Sequence, residues 1–234
     1  MNDFVAISEC STQELRELLD ASSSLKAFYK SGKRDLCLAG KTLAMLFEKP
    51  SLRTRISFQV AMTDLGGHPI YVKPEDIGGI GKREPIKDIA RVLSRYVQGI
   101  MARTFEHQTV LDLADYADIP VINALTDWSH PCQAMADCLT IHEHFGRLEG
   151  IQIAFIGDGN NVARSLAYAA GRLNMKLVVA SPAGYELDEP TIQKANSFTA
   201  GCTAQVNDPY AAVADADVIY TDTWVSMGQE NEKE

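Results

Sequence analysis

The chain alternates short apolar runs with helical stripes, and it does so in two successive passes. In the first pass the strand candidates are "LAMLF" (43–47), "PIYV" (69–72), "GIMAR" (99–103) and "IPVIN" (119–123). Between them, Phe58, Ala61, Met62 and Leu65 fall at i, i+3, i+4 and i+7, and Gly66-Gly67 stops that helix. Pro85 opens a second helix whose face runs through Ile86, Ile89, Ala90, Leu93 and Val97, and a third lies near 108–117. Ser11 with Glu14 forms a capping box for an earlier helix. A longer helix, 131–145, opens with Pro131. The pattern then restarts with "IQIAFIGD" (151–158), a helix to about 173, "MKLVVAS" (175–181), a helix near 189–199, "TAQV" (203–206) and "DVIYTD" (217–222). Such alternation predicts an α/β fold, with two doubly wound domains built on parallel sheets and joined by a bridging helix. The expected division is 1–133, an interdomain helix and turn at 134–149, and 150–234.

Composition narrows the function. A net charge of −9 argues against non-specific binding to nucleic acid. No apolar run is long enough for a membrane span, and Met1-Asn2-Asp3 is not the basic start of a signal peptide. Five cysteines without a CxxC pair suit reduced thiols, and a cytoplasmic location is expected. The charge is uneven: residues 82–95 hold five basic and two acidic groups, whereas 207–234 hold seven acidic and one basic. Cations gathered into short segments of an acidic chain suggest a small anionic ligand; solvated helix faces are the alternative.

Ligands of open α/β sheets bind beyond the carboxyl ends of the strands, so polar residues just after strands are the candidates. "SLRTR" (51–55) follows strand 43–47 and opens a helix. Ser51, Arg53 and Thr54 at a helix N-terminus could bind an anion; a serine cap with exposed arginines is the other reading. Arg103 ends strand 99–103 and Thr104 follows it, with a surface ion pair as the other reading of the arginine. His130 and Gln133 share a face at the start of the bridging helix, and could bind a carbonyl or amide group. A metal site built from His130, Cys132, Cys138, His142 and His144 is disfavoured, because Met135, Cys138, His142 and Phe145 read as a packing stripe. "GGIGKRE" (78–84) fails the phosphate-loop pattern, since Lys82 is followed by Arg83, and reads as a glycine loop carrying a cation. "GDGNN" (157–161) suggests a dinucleotide fingerprint, but Val162 replaces the third glycine and Ser181 stands where a ribose-binding acid would. Asn160 and Asn161 remain amide donors for a carboxylate. Asp222 could hold a cationic amine, with Ser226 orienting a second polar group.

In this order, "FEKPSLRTR", "MART" (101–104), "HPCQ" (130–133), "GDGNN" and "DTWVSMGQE" (222–230) resemble the aspartate/ornithine carbamoyltransferase family, with "SMG" typical of its ornithine-type members. The resemblance implies one domain for carbamoyl phosphate (1–133) and one for ornithine (150–234). It implies transfer of the carbamoyl group to the δ-amine of L-ornithine, giving L-citrulline and phosphate, without a cofactor or metal. It also implies a step of arginine metabolism and a homotrimer, or a multiple of trimers. By matching position, Ser51, Leu52, Arg53 and Thr54 would cradle the phosphate, and Arg103, His130 and Gln133 would hold the carbamoyl group. Arg53, Thr54, Arg103 and His130 would carry the catalysis. Asn161, Asp222, Ser226 and Met227 would bind ornithine. Leu52 departs from a threonine found in many members. Gly79 stands where some place a glutamine that reaches a neighbouring subunit, and Lys82 is the substitute considered. The family continues past the position of Glu234 with a His-Cys-Leu-Pro segment, so the second domain is expected to be incomplete. Two alternatives follow: an inactive carbamoyl-phosphate-binding remnant, and a related carbamoyltransferase with another amine acceptor.

Overall fold

A computed structural model of the chain describes residues 2–222. It divides into two compact units, residues 2–10 with 17–132, and residues 11–16 with 133–222. The capping box forms as read: Ser11 N–H donates to Glu14 Oε2 at 2.8 Å, and Glu14 N–H donates to Ser11 Oγ at 3.2 Å. It opens α1 (Thr12–Lys30).

In the first unit, β1 (Thr42–Phe47) leads through α2 (Leu52–Asp64) to β2 (His68–Val72). The chain continues through α3 (Pro74–Ile77) and α4 (Ile86–Tyr96) to β3 (Gly99–Arg103), then through α5 (His107–Tyr116) to β4 (Val121–Leu125). The sheet order is β2-β1-β3-β4, all parallel. Parallel strands are buried on both faces, so their sequences run apolar without alternation. Leu46, Ile100, Ala102 and Val121 pack on one side with Val110 and Leu113, and Met45, Phe47 and Met101 pack on the other with Met62. β2 lies on one flank of β1 and β3 on the other. The chain leaves the carboxyl end of β1 toward β2 and that of β3 toward β4, in opposite senses, which opens a crevice between the ends of β1 and β3.

The second unit repeats the plan. α6 (Pro131–Phe145) leads into β5 (Gln152–Ile156), followed by α7 (Asn161–Leu173), β6 (Lys176–Ala180), α8 (Glu189–Phe198), β7 (Thr203–Val206), α9 (Pro209–Val213) and β8 (Val218–Thr221). The order is β7-β6-β5-β8, again parallel, with its switch between β5 and β8.

Two expectations need correction. The strand expected at 119–123 is paired from Val121 to Leu125, because Pro120 has no N–H for the ladder. The buried stripe of α6 is Ala134, Cys138 and Ile141, whereas His142 and Phe145 are exposed near the end of the helix. The short helices α3 and α9 span four and five residues, too few for periodicity to mark. The glycine loop after α3 is anchored by Ile80, which is buried in the core.

Gly159, in the turn after β5, has no room for a side chain: a Cβ there would overlap backbone atoms of Glu186 and Leu187. Backbone cannot move aside as a flexible side chain can, so Gly159→Ala is expected to lower stability by at least ~2 kcal/mol. Urea denaturation measures it, and an unchanged midpoint would contradict this packing.

Candidate active site

The crevice of the first unit is lined by cations and hydroxyls. Ser51 takes an extended backbone (φ −155°, ψ 117°) after β1 and caps α2. Its Oγ accepts from Thr54 N–H at 3.3 Å and donates to Thr54 Oγ1 at 3.0 Å. Arg103, at the end of β3 and in register with Phe47, donates from Nη1 to the same Thr54 Oγ1 at 3.3 Å. Two residues from two strand ends, Ser51 and Arg103, thus converge on the Thr54 hydroxyl. The first amides of α2, that of Leu52 among them, have no acceptor within the helix, and the positive end of the helix dipole points the same way. The Leu52 side chain is 77% exposed.

Arg103 is only 3% exposed, its Nε meets no hydrogen-bond partner, and no carboxylate is paired with it among the described residues. A buried guanidinium in this state is costly. Burial first, and then the charge of Arg53, lower its affinity for its proton. Two like charges held close beside a helix N-terminus make a place for an anion. Arg55 points elsewhere: its guanidinium lies 4.0 Å from the Tyr71 ring centroid and donates to Gln59 Oε1 at 3.3 Å.

His130 immediately precedes α6. Burial, and secondarily Arg103, push its pKa down to about 4, so its ring is neutral at pH 7. Cys132 donates to Asn123 O at 3.4 Å, and burial pushes its thiol up to about 12, which leaves it unfit as a nucleophile. Of the residues weighed as metal ligands, Cys138 is buried in the core while His142 and His144 are exposed. Lys82 stands exposed on the glycine loop, its side chain against Gly79.

The crevice of the second unit is acidic and amide-rich. Asn160 caps α7 by accepting from Val162 N–H at 2.9 Å and Ala163 N–H at 3.2 Å. Its Nδ2 donates to Asp222 Oδ2 at 3.2 Å, which joins the ends of β5 and β8. Asn161 is the first residue of α7, and its carbonyl accepts from Ser165 Oγ at 2.7 Å. Ser181, at the position where a nucleotide-binding fold would place an acid, is buried and donates to Gly157 O at 2.7 Å. Ser226 and Met227 lie outside the described residues.

Two polar residues beside Asp222 and Gln133 are not singled out by the sequence. Asp137, on α6, accepts from Gln133 Nε2 at 2.9 Å. Burial raises its carboxyl pKa, the Gln133 bond and the Tyr220 hydroxyl oppose that rise, and Asp222 adds to it. Tyr220 is also shifted upward, by burial and by Asp137. The i, i+4 spacing of Gln133 and Asp137 was the available signal. Tyr220 carried none, because inside an apolar strand a tyrosine reads as core.

Comparison with known proteins decides the family. Residues 2–143 match the model described as "Aspartate/ornithine carbamoyltransferase, carbamoyl-P binding domain", and residues 149–234 match "Aspartate/ornithine carbamoyltransferase, Asp/Orn binding domain". The chain belongs to the aspartate/ornithine carbamoyltransferase family. The ornithine carbamoyltransferase of Anoxybacillus flavithermus is 53% identical over 98% of this chain and 74% of its own length. That of Pyrococcus abyssi is 50% identical over 99% and 74%. Among solved structures, the ornithine carbamoyltransferase from Pyrococcus furiosus superimposes with a TM-score of 0.95 at 50% identity, covering all of this chain and 75% of that one.

In this carbamoyltransferase-family chain, the depressed pKa of His130 links folding to pH. Unfolded, the imidazole takes its proton near pH 6.5; folded, near 4. The contribution is complete above pH 6.5. It is lost as pH falls toward 4, because the unfolded chain binds the proton first. Its full size is on the order of 3 kcal/mol. His130→Asn should therefore show a shallower loss of stability between pH 7 and 4 than the unaltered protein, measured by urea denaturation. An imidazole NMR titration with its midpoint at 6.5 would overturn the assignment.

Proposed function

We propose that this chain transfers the carbamoyl group of carbamoyl phosphate to the δ-amine of L-ornithine, giving L-citrulline and phosphate. The observation that carries the proposal is the convergence of Ser51 and Arg103 on Thr54 beside the open amides of α2, with Arg53 close by. Two arginines, two hydroxyls and a helix N-terminus suit a dianionic phosphate that bears a carbonyl. Ser51, Leu52 N–H, Arg53 and Thr54 take the phosphate, and Arg103, His130 and Gln133 take the carbamoyl group. Asn161, Asp222, Ser226 and Met227 take ornithine.

The chemistry needs no covalent intermediate with the protein. The neutral δ-amine attacks the carbamoyl carbon, a C–N bond forms, and the C–O bond to phosphate breaks with its electron pair. Charge that builds on the carbonyl oxygen is met by donors from Thr54, Arg103 and His130, the last as a neutral imidazole N–H. The departing phosphate, balanced by Arg53 and α2, accepts the proton released by the amine. Alignment of the two substrates supplies much of the rate.

Ornithine is favoured over aspartate as acceptor by charge. Asp222 and Asp137 act on each other electrostatically, so their surroundings suit an ammonium group better than a second carboxylate. The relative from Pyrococcus furiosus named "Ornithine carbamoyltransferase, anabolic" supports the arginine-building direction. The five unbridged cysteines support a cytoplasmic site of action. Leu52, Ile56 and Val60 form an exposed apolar stripe along α2, which supports burial against other copies in a trimer, with Lys82 reaching toward a neighbour.

Arg53→Ala should weaken carbamoyl phosphate binding by ~2 kcal/mol, about thirtyfold, with little change in stability, since the side chain is exposed. Calorimetric titration of both proteins is the test, and equal affinities would remove Arg53 from the site. Asp222→Ala should impair ornithine binding in the presence of carbamoyl phosphate while leaving carbamoyl phosphate affinity unchanged. Undiminished ornithine binding, or tighter binding of aspartate than of ornithine by the unaltered protein, would refute the acceptor assignment.

A further inference from the structure

In the reaction set out above Asp137 contributes only its charge, yet its carboxyl group is held in a fixed place on α6. Its Oδ1 accepts from Gln133 Nε2 at 2.9 Å, one helical turn away on α6. Its Oδ2 is buried, and no hydrogen-bond partner reaches it among the described residues. The Tyr220 hydroxyl lies beside the carboxyl group, and the Tyr220 ring stacks on Phe155 with centroids 5.2 Å apart and planes 15° from parallel. The carboxyl group is thus held between a regular helix and the sheet.

A glutamine amide has two unlike ends, and only its surroundings decide which end faces which way. An ionised carboxylate accepts and cannot donate. If Asp137 holds a proton on the unbonded Oδ2, its Oδ1 still accepts. While Oδ1 accepts, the NH₂ of Gln133 faces Asp137 and Oε1 points away from it. We infer that Asp137 is a positioning residue: it fixes Gln133 with its oxygen outward as the acceptor for the carbamoyl NH₂, so that the protein distinguishes an amide from a methyl group. The inference rests on the assignment of Gln133 to the carbamoyl group.

Acetyl phosphate is the discriminating probe, because it keeps the phosphate and the carbonyl and replaces NH₂ by CH₃. A site built around an oriented acceptor rejects a ligand that leaves the acceptor unpaired. Calorimetry should show that the unaltered protein binds carbamoyl phosphate more tightly than acetyl phosphate. Asp137→Ala should shrink that preference about tenfold, the worth of one hydrogen bond, by weakening carbamoyl phosphate alone. Asp137→Asn, whose side-chain oxygen can accept in the same place, should retain the preference. A merely structural role for Asp137 would weaken both ligands alike, and that result, an unchanged ratio in Asp137→Ala, or an asparagine variant that behaves like alanine would overturn the inference. Gln133→Ala separates the two claims. If it leaves the ratio intact, the Gln133 assignment falls and this inference with it; if it shrinks the ratio while Asp137→Ala does not, only the inference falls. Should the alanine variant fail to fold, hydrogen exchange at the ¹⁵N-labelled Gln133 side chain of the unaltered protein decides. A protected amide proton is expected, and exchange as fast as in an exposed glutamine refutes the inference.

Discussion

Parallel pairing on both flanks of one strand governs everything else in each unit. β1 pairs with β2 and β3, and β5 pairs with β6 and β8, each in parallel. Parallel neighbours must be joined by crossovers, and a crevice opens at the carboxyl ends of two adjacent strands where the strand order reverses. The register then fixes which residues meet. Phe47 opposite Arg103 sets the loop after β1 against the end of β3, and Ile156 opposite Thr221 does the same for the turn after β5 and Asp222. The hydroxyls of Ser51 and Thr54 reach Arg103, and the amide of Asn160 reaches Asp222, as consequences of strand order.

The two crevices carry opposite charge, for the same physical reason. A charge buried at a strand end must be satisfied by a neighbour or by a ligand. In the first unit burial, and secondarily Arg53, depress proton binding at Arg103, and no carboxylate is paired with it among the described residues, which suits an anion. In the second unit burial and Asp222 raise the proton affinity of Asp137, which suits an amine or a shared proton. His130, neutral beside Arg103, adds no third positive charge to the first crevice. The same chemistry that separates phosphate from amine thus follows from which strand ends carry which residues.

Element type was legible wherever a run was long and its period clear. α6 spans the expected 131–145 and α7 ends at Leu173 as expected, because Pro131 opens the one and Asn174 caps the end of the other. β4 was displaced, since Pro120 reads as part of an apolar run but cannot join a ladder. The stripe on α6 was misread because Cys138 belongs equally to two possible faces, and only packing chose the one through Ala134 and Ile141.

By itself, the sequence determined the two α/β passes, the capping serine before α2, and the placement of Arg103, His130 and Asp222 just beyond strands or before a helix. Each of these follows from local periodicity, backbone chemistry or short-range spacing. Only the tertiary structure decided that Arg55 lies on the Tyr71 ring while the Arg53 charge acts on Arg103, that Asn160 is occupied as a cap and a tether for Asp222, and that Asp137 with Tyr220 stands beside Gln133. Those outcomes depend on which strands become neighbours and on which polar atoms their packing shuts away from water, and neither is written in the spacing of residues along one segment.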